Sequence, residues 1–547
     1  MAARQPDQPA LKIPRGRNGN NQIDYLALSF AELDREVDAW AARLTARGVV
    51  EGDRVLVTVK QGLPLIAVAF ALFKIGAVPV IIDPGMGREN FLACVARSRP
   101  RVLLGIPAAQ FSSYFFRRAF ATIEIRVWVS GSTTSRLPSS PEGRNSKFKM
   151  VNSAATDLAA ILFTSGSTGA PKGVCYEHGM FDAQVRLVRD TYGIQPGEID
   201  LPLLPIFALF NPALGLTTIV PEIDPRYPAS VNPAKIFQAI RQEKVTTSFG
   251  SPTLWRIISA YCREIERDLP SMRRVLMAGA PVPPALFASL RVLLPNGQVH
   301  SPYGATEALP ICSIAATEVL DETAVATATG RGTCVGRPLP EMAIKIIAIT
   351  DAHLPSLNSA TELPTGEIGE IIVRGPVVTK TYDELPEATA GAKISDGAAT
   401  WHRMGDVGYL DAQGRLWFCG RKAERVETAN GPLYTEQCEP IFNAHPAFAR
   451  TALIGVGPAG AQRAAIVGEP RTPELAANSK QRRQLARELC GLAAKFPHTE
   501  RIRHYFIHSA FPVDVRHNAK INRLELAQWA ATTPAYEMDA RKDSVKL

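Results

Sequence analysis

The densest chemical signal in this chain of 547 residues is "TSGSTGAPKG" at 164–173. Thr164, Ser165, Ser167 and Thr168 bring hydroxyl donors, and Lys172 adds a cation. Gly166 and Gly169 admit positive φ and close backbone approach, so several N–H groups can converge on one anion. The spacing is not that of a Walker A loop, which needs Lys followed by Ser or Thr at a fixed distance from its first glycine. Composition alone leaves three readings open: a phosphate cradle, a tight turn or a flexible link. The hydroxyls of "SGSTTSRLPSSPEGRNSK" (130–147) are decoys, because that stretch lacks apolar residues to orient them and reads as a surface loop.

The elements around the phosphate-type loop read as a buried strand before it and another extended segment after it. "LAAILF" (158–163) enters it and "GVCYEH" leaves it. Upstream, "SFAELDREVDAWAARLTARG" predicts an amphipathic helix, with Ser29 and Glu32 as a capping box and Phe30, Leu33, Val37, Trp40 and Leu44 on one face. "DRVLVTV" then reads as a strand, 64–75 as a helix and 78–82 as a strand, an alternation that implies a parallel sheet flanked by helices. The run "PLIAVAFALFKIGAVPVII" is interrupted by Lys74 and Gly76, which favours a buried helix and strand over a membrane span. Residues 351–366 read as a second surface connection. "GEIGEIIVRG" and "GRLWFCGR" are short strands with turns, and after Arg421 the pattern changes to strands at "TALIGVG" and "HYFIHSAF" and a helix at "SKQRRQLARELCGLAAKF". This places a boundary at 420–424, with domains 1–421 and 422–547.

Charge and cysteine usage narrow the function class. Net charge is +9, and residues 422–547 hold 18 of the 61 basic and 13 of the 52 acidic residues, making the last quarter the more basic part. No arginine–aromatic array points to nucleic acid. The eight cysteines have no CxxC pair, which argues against structural zinc or a disulfide framework and fits a reducing, cytoplasmic compartment. The N-terminus shows no apolar signal core.

Other segments join the loop: "MAGAPVP" (277–283), "YGATE" (303–307), "GRPLP" (336–340), "TGEIGEIIVRG" (365–375), "GDVGYLD" (405–411), "GR" (420–421) and "VRHNAKINRL" (515–524). In this order and at these separations the chain resembles the adenylate-forming superfamily of acyl-CoA synthetases, adenylation domains and luciferases. The resemblance implies an α/β adenylate-forming fold: a large N-terminal domain of αβ subdomains plus a β-rich subdomain, and a small mobile α+β C-terminal domain. It also implies activation of a carboxylate with ATP and Mg²⁺. By this resemblance Thr164–Lys172 grips the β- and γ-phosphates. Gly279, Ala280 and Pro281 line the adenine, and Tyr303, followed by Gly304, stacks on it. Thr306 bonds the α-phosphate, Glu307 holds the metal, Asp406 and Arg421 hold the ribose, and Lys520 stabilises charge as pyrophosphate leaves.

The chain departs from the superfamily pattern in the thiol-transfer apparatus. Ala423 stands where the hinge usually has Asp or Lys, Glu427 replaces a basic residue and Ala429–Asn430 replace paired glycines; separately, in the motif of the adenylation lysine, Ala519 replaces the glycine before Lys520. Pro205 lies near a usual gating residue, in "LPLLPIFALFNPALG", where Phe207, Leu209, Phe210 and Leu214 offer an alkyl pocket or ordinary core. With "PEIDPRYPA", these features resemble the β-lactone synthetases of bacterial long-chain olefin biosynthesis. That resemblance implies a 2-alkyl-3-hydroxy fatty acid substrate, no need for CoA, and three partners: a thiolase-like condensing enzyme, a β-lactone decarboxylase and a ketone reductase. A conventional long-chain acyl-CoA synthetase, an acyl-AMP ligase and a non-catalytic nucleotide-binding scaffold are the alternatives.

Overall fold

The computed structural model describes residues 1–130, 132–134, 150–164, 170–224, 227, 230–513 and 521–539. The expected loop at 130–147 therefore falls mostly outside the described residues, as do Ser165–Gly169 and Lys520.

The N-terminal helix forms over Phe30–Ala46, with the reciprocal Ser29–Glu32 capping box in place and Phe30, Leu33, Val37, Trp40 and Leu44 buried. Helix Leu63–Lys74 and strand Val78–Ile82 follow, and the helix buries most of its length. Lys74 ends it in ion pairs with Asp34 (2.7 Å) and Asp38 (2.6 Å) of the first helix, which explains a charge inside an apolar run. No helix among the described residues is long and apolar enough to cross a membrane.

Strands Ile125–Trp128, Val102–Gly105, Arg54–Thr58, Val78–Ile82, Leu158–Thr164 and Lys172–Glu177 form one six-stranded sheet in that spatial order. All neighbours are parallel except the last pair, a hairpin in which Thr164 faces Lys172. A second sheet is larger than the sequence pattern implies. Its parallel part runs through Thr247–Gly250, Arg274–Met277 and Gln298–Ala305. It continues antiparallel through Ala308–Ala315 and Thr333–Pro338 into Leu416–Arg421, Ala399–Leu410 and Gly369–Arg374. The expected β-rich subdomain is thus continuous with an αβ sheet, because Thr333–Pro338 pairs on both edges. The connection at 351–366 carries a short helical turn, Leu357–Ser359, and buries Leu354.

Beyond residue 425, strands Phe448–Val456, Arg463–Pro470, His504–Ile507 and Tyr536–Glu537 build a separate four-stranded sheet. Helices Thr435–Asn443, Ser479–Ala493 and Arg523–Thr532 accompany it. Two apolar clusters, one around Phe442, Phe448 and Leu489 and one around Ile454, Phe506 and Leu526, draw only on residues of this part. All eight cysteines are free thiols.

Candidate active site

The parallel strands of the large sheet end at Gly250, Met277 and Ala305, the carboxyl edge at which open α/β sheets bind ligands. Met277 ends one strand, and Gly279 follows in the left-handed region at φ +95°, with Ala280 and Pro281 turning away from the sheet. The next strand ends at Ala305, and Thr306 and Glu307 form the two-residue tip of a hairpin whose register pairs Ala305 with Ala308. Gly304 is required there: a Cβ would stand 2.5 Å from the Ala308 carbonyl oxygen.

Tyr303 points across the sheet. Its hydroxyl donates to Asp406 Oδ2 (2.5 Å), and Arg421 Nη1 donates to Asp406 Oδ1 (2.8 Å). Asp406 and Arg421 are direct cross-strand partners. Gly405 precedes the carboxylate at φ +66°, a conformation that glycine enters without strain. Burial pushes the Asp406 carboxyl up from its ordinary range, and Arg421 works against that shift. Burial, then the neighbouring Asp406 charge, pushes the Tyr303 hydroxyl well up, so it stays a donor.

Glu307 is held on two sides. Its carbonyl accepts from the Thr379 backbone N–H (2.9 Å) and hydroxyl (3.1 Å), and its Oε1 accepts from the Tyr382 hydroxyl (2.8 Å). Oε2 has no hydrogen-bond partner among the described residues. One half-free carboxylate at the tip of a hairpin suits Mg²⁺, which takes one or two carboxylates and fills its remaining positions with phosphate oxygens and water. Lys172 Nζ lies 4.9 Å from the Tyr382 ring centre, so the cation that closes the glycine-rich loop and the candidate metal carboxylate flank one tyrosine. The Tyr176 hydroxyl donates to the Thr306 carbonyl. Beneath them Lys393 donates to the Thr379 carbonyl and hydroxyl, and burial pushes its ammonium down to about 7 while Glu307 opposes that shift.

An apolar cavity adjoins this hairpin. It holds about 640 Å³ of empty space, part of it open to solvent, and its wall includes Phe207, Phe210, Leu214, Phe249 and, from the hairpin itself, Pro302, Leu309 and Pro310. Phe207 stacks on Phe249 with ring centres 3.7 Å apart. Three of the four residues offered as pocket lining are therefore there. Leu209 is not: it packs the other way, against the core that holds Ala208 and Val220, because it lies on the opposite side of the short helical turn Pro205–Leu209. Gln184, 4% exposed, also lines the cavity. Its Nε2 donates to the Leu309 carbonyl (2.8 Å), while its buried Oε1 has no partner among the described residues.

Thr164 and Lys172 frame the glycine-rich loop, of which Ser165–Gly169 lie outside the described set. The segment after Lys520 is anchored by Arg523, which reaches Glu439 (2.8 and 2.9 Å) and Glu424 (2.8 Å). Glu427 pairs with Arg425 (2.6 Å), and Ala429 and Asn430 form an exposed turn between Val426–Thr428 and Gly431–Leu433. Motif reading missed Tyr176, Gln184, Thr379, Tyr382 and Lys393. Only the placement of Tyr176 in an alternating strand gave any hint, and none of them stands in a motif.

The AMP-binding enzyme family matches residues 1–383. The chain belongs to the AMP-binding enzyme family. Within this family it is 46% identical to an olefin beta-lactone synthetase of Xanthomonas campestris pv. campestris, over 97% of this chain and 96% of that one. It is 44% identical, over the same shares, to an olefin beta-lactone synthetase of Stenotrophomonas maltophilia. An amide bond synthetase from Marinactinospora thermotolerans has the same adenylate-forming fold, with a TM-score of 0.76 at 22% identity over 96% of this chain and 97% of that one.

Proposed function

We propose that this AMP-binding enzyme is an ATP-dependent β-lactone synthetase acting on a long-chain 2-alkyl-3-hydroxy acid. A carboxylate oxygen attacks the α-phosphorus and pyrophosphate leaves. The substrate's own 3-hydroxyl oxygen then attacks the acyl carbon, loses its proton and displaces AMP. A tethered nucleophile already has a high effective molarity, so no thiol channel is needed. The relatives' names support the reaction. The observation that carries the substrate reading is Gln184: in the mostly apolar wall beside the Thr306–Glu307 hairpin, which also holds Asp200, Asn211 and Thr247, its buried Oε1 has no partner among the described residues and is an acceptor suited to a hydroxyl.

In this reading Gly279, Ala280, Pro281 and Tyr303 take the adenine. Asp406 and Arg421 take the ribose, exchanging the Tyr303 contact for a ribose hydroxyl. Thr306 and the loop Thr164–Lys172 take the phosphates. Mg²⁺, bound at Glu307, supplies charge neutralisation on the phosphates. Lys520, carried by a mobile domain hinged after Arg421, serves the first step. CoA is not required, the reaction is cytoplasmic, and a thiolase-like condensing enzyme, a β-lactone decarboxylase and a ketone reductase act before and after it.

The test is product identity. The purified protein with ATP, Mg²⁺ and a 2-alkyl-3-hydroxy acid, without CoA, is expected to give β-lactone and AMP by NMR. An acyl-CoA product formed only when CoA is added would overturn the proposal and make the protein an acyl-CoA synthetase.

A further inference from the structure

The six-stranded sheet ends in the edge strand Ile125–Trp128, and helix Pro107–Phe115 packs beside it with its polarity reversed. The buried residues of this helix are Gln110 and Ser113. Gln110 Nε2 donates to the Leu103 (3.2 Å) and Val127 (3.0 Å) carbonyls, and Ser113 Oγ donates to the Gln110 carbonyl (2.6 Å). The outward residues are Phe111, Tyr114 and Phe115, at 58%, 48% and 83% exposure, spaced as one helical face. Phe116 and Trp128, 37% and 40% exposed, extend it, and the Phe111 and Trp128 rings meet edge to face at 5.6 Å. Single exposed apolar residues are ordinary on a protein surface; a contiguous aromatic patch marks a contact site.

The charges beside this patch are mainly basic. Arg117 and Arg118 are exposed at the end of the helix and have no carboxylate partner among the described residues. Arg126 lies 4.5 Å from the Tyr114 ring centre, and Arg43 donates to the Trp128 carbonyl (3.2 Å). The nearby acid, Glu124, is tied to Arg101 at 2.7 Å.

We infer that this face docks on an anionic lipid bilayer, lying in the headgroup layer without spanning the membrane. Phe and Trp rings suit the boundary between headgroups and acyl chains, and guanidinium groups suit lipid phosphates. A second copy of this chain fits less well, because a two-fold contact would set the same arginines against each other. The inference is independent of the proposed reaction.

The test uses the full-length protein in co-sedimentation with vesicles of phosphatidylcholine alone and of an equal mixture with phosphatidylglycerol. Binding is expected to the mixed vesicles and to weaken as salt rises. The double variant Phe111→Ser/Phe115→Ser is expected to lower the partition coefficient about tenfold or more. Arg117→Ala and Arg118→Ala are expected to lower it about fivefold each. These four positions are exposed, so circular dichroism should match the wild type, and the arginine variants test the idea even if the phenylalanine pair misfolds. Indifference to phosphatidylglycerol, or equal binding by wild type and arginine variants, would overturn it. So would a wild-type dimer by light scattering that the phenylalanine variants dissolve, which would assign the face to self-association.

Discussion

Replacing Gln184 by Met separates the hydroxyl reading from simple pocket packing. Met keeps the unbranched length and nearly the same helix propensity within helix His178–Tyr192. Two interactions change. The Leu309 carbonyl loses the amide that reaches it at 2.8 Å, and an acceptor left without a partner costs about 1–3 kcal/mol of stability. The cavity loses Oε1, and a neutral hydrogen bond to a substrate hydroxyl is worth about 0.5–1.5 kcal/mol, roughly two- to thirteenfold in rate or affinity. The first effect appears as a lower Tm with either substrate. The second should appear only with a hydroxylated one. Lactone formation from a 3-hydroxy acid is therefore expected to fall by that factor, measured as kcat/KM below the melting range. Pyrophosphate exchange driven by the chain-matched acid without the hydroxyl should hold steady. An equal fall for both acids would refute the assignment of Oε1 to the hydroxyl, and no fall for either would remove Gln184 from the site.

Asp406→Ala removes the acceptor shared by Tyr303 and Arg421. Calorimetry is expected to show ATP binding weakened by roughly ten- to a hundredfold, the worth of a hydrogen bond to a charged group, and unchanged binding would exclude the ribose role. Arg523→Ala strands the buried Glu439 carboxylate without its cation. Urea unfolding should report a loss of about 3–5 kcal/mol, and a loss near zero would mean that the Glu424–Arg523–Glu439 cluster is not a structural anchor. Asp200, buried in the cavity wall, has its carboxyl pushed up to about 7 by burial, with the Asn211 amide opposing the shift. Its raised native pKa means the folded state holds the extra proton. The stabilisation is fully present below about 4 and is lost as pH rises through about 7, at no more than about 1.4 kcal/mol per pH unit. Asp200→Asn should flatten that part of the stability–pH curve, and an unchanged curve would show that the proton resides elsewhere.

Much of the scaffold was legible because its signals are local. The Ser29–Glu32 cap, the 3–4 spacing through Leu44, and the helix-then-strand reading of 64–82 each need only neighbours in sequence. Tyr303, Glu307, Asp406 and Arg421 were singled out only through the resemblance of "YGATE", "GDVGYLD" and "GR" to the adenylate-forming superfamily, not through any local periodicity. What surrounds them was not. Tyr382 reaches Glu307 across 75 positions and Gln184 reaches Leu309 across 125, and no periodicity reports such pairings. Leu209 could not be told from its neighbours by composition, since Phe207, Leu209 and Phe210 are all apolar and only the direction of a short turn separates pocket from core.

The hairpin at Thr306–Glu307 has its carbonyls engaged from outside: Thr306 by Tyr176, Glu307 by Thr379, and Leu309 by Gln184. Fixing one residue's backbone costs about 1–2 kcal/mol of conformational entropy. These side chains are in place before any substrate arrives, so that cost falls on folding and not on binding. Ligand affinity at this turn is then free of an ordering penalty. A substitution at Tyr176 or Thr379, neither of which needs to touch a ligand, would move the penalty to the binding step and show itself as a less favourable binding entropy at nearly constant contact chemistry.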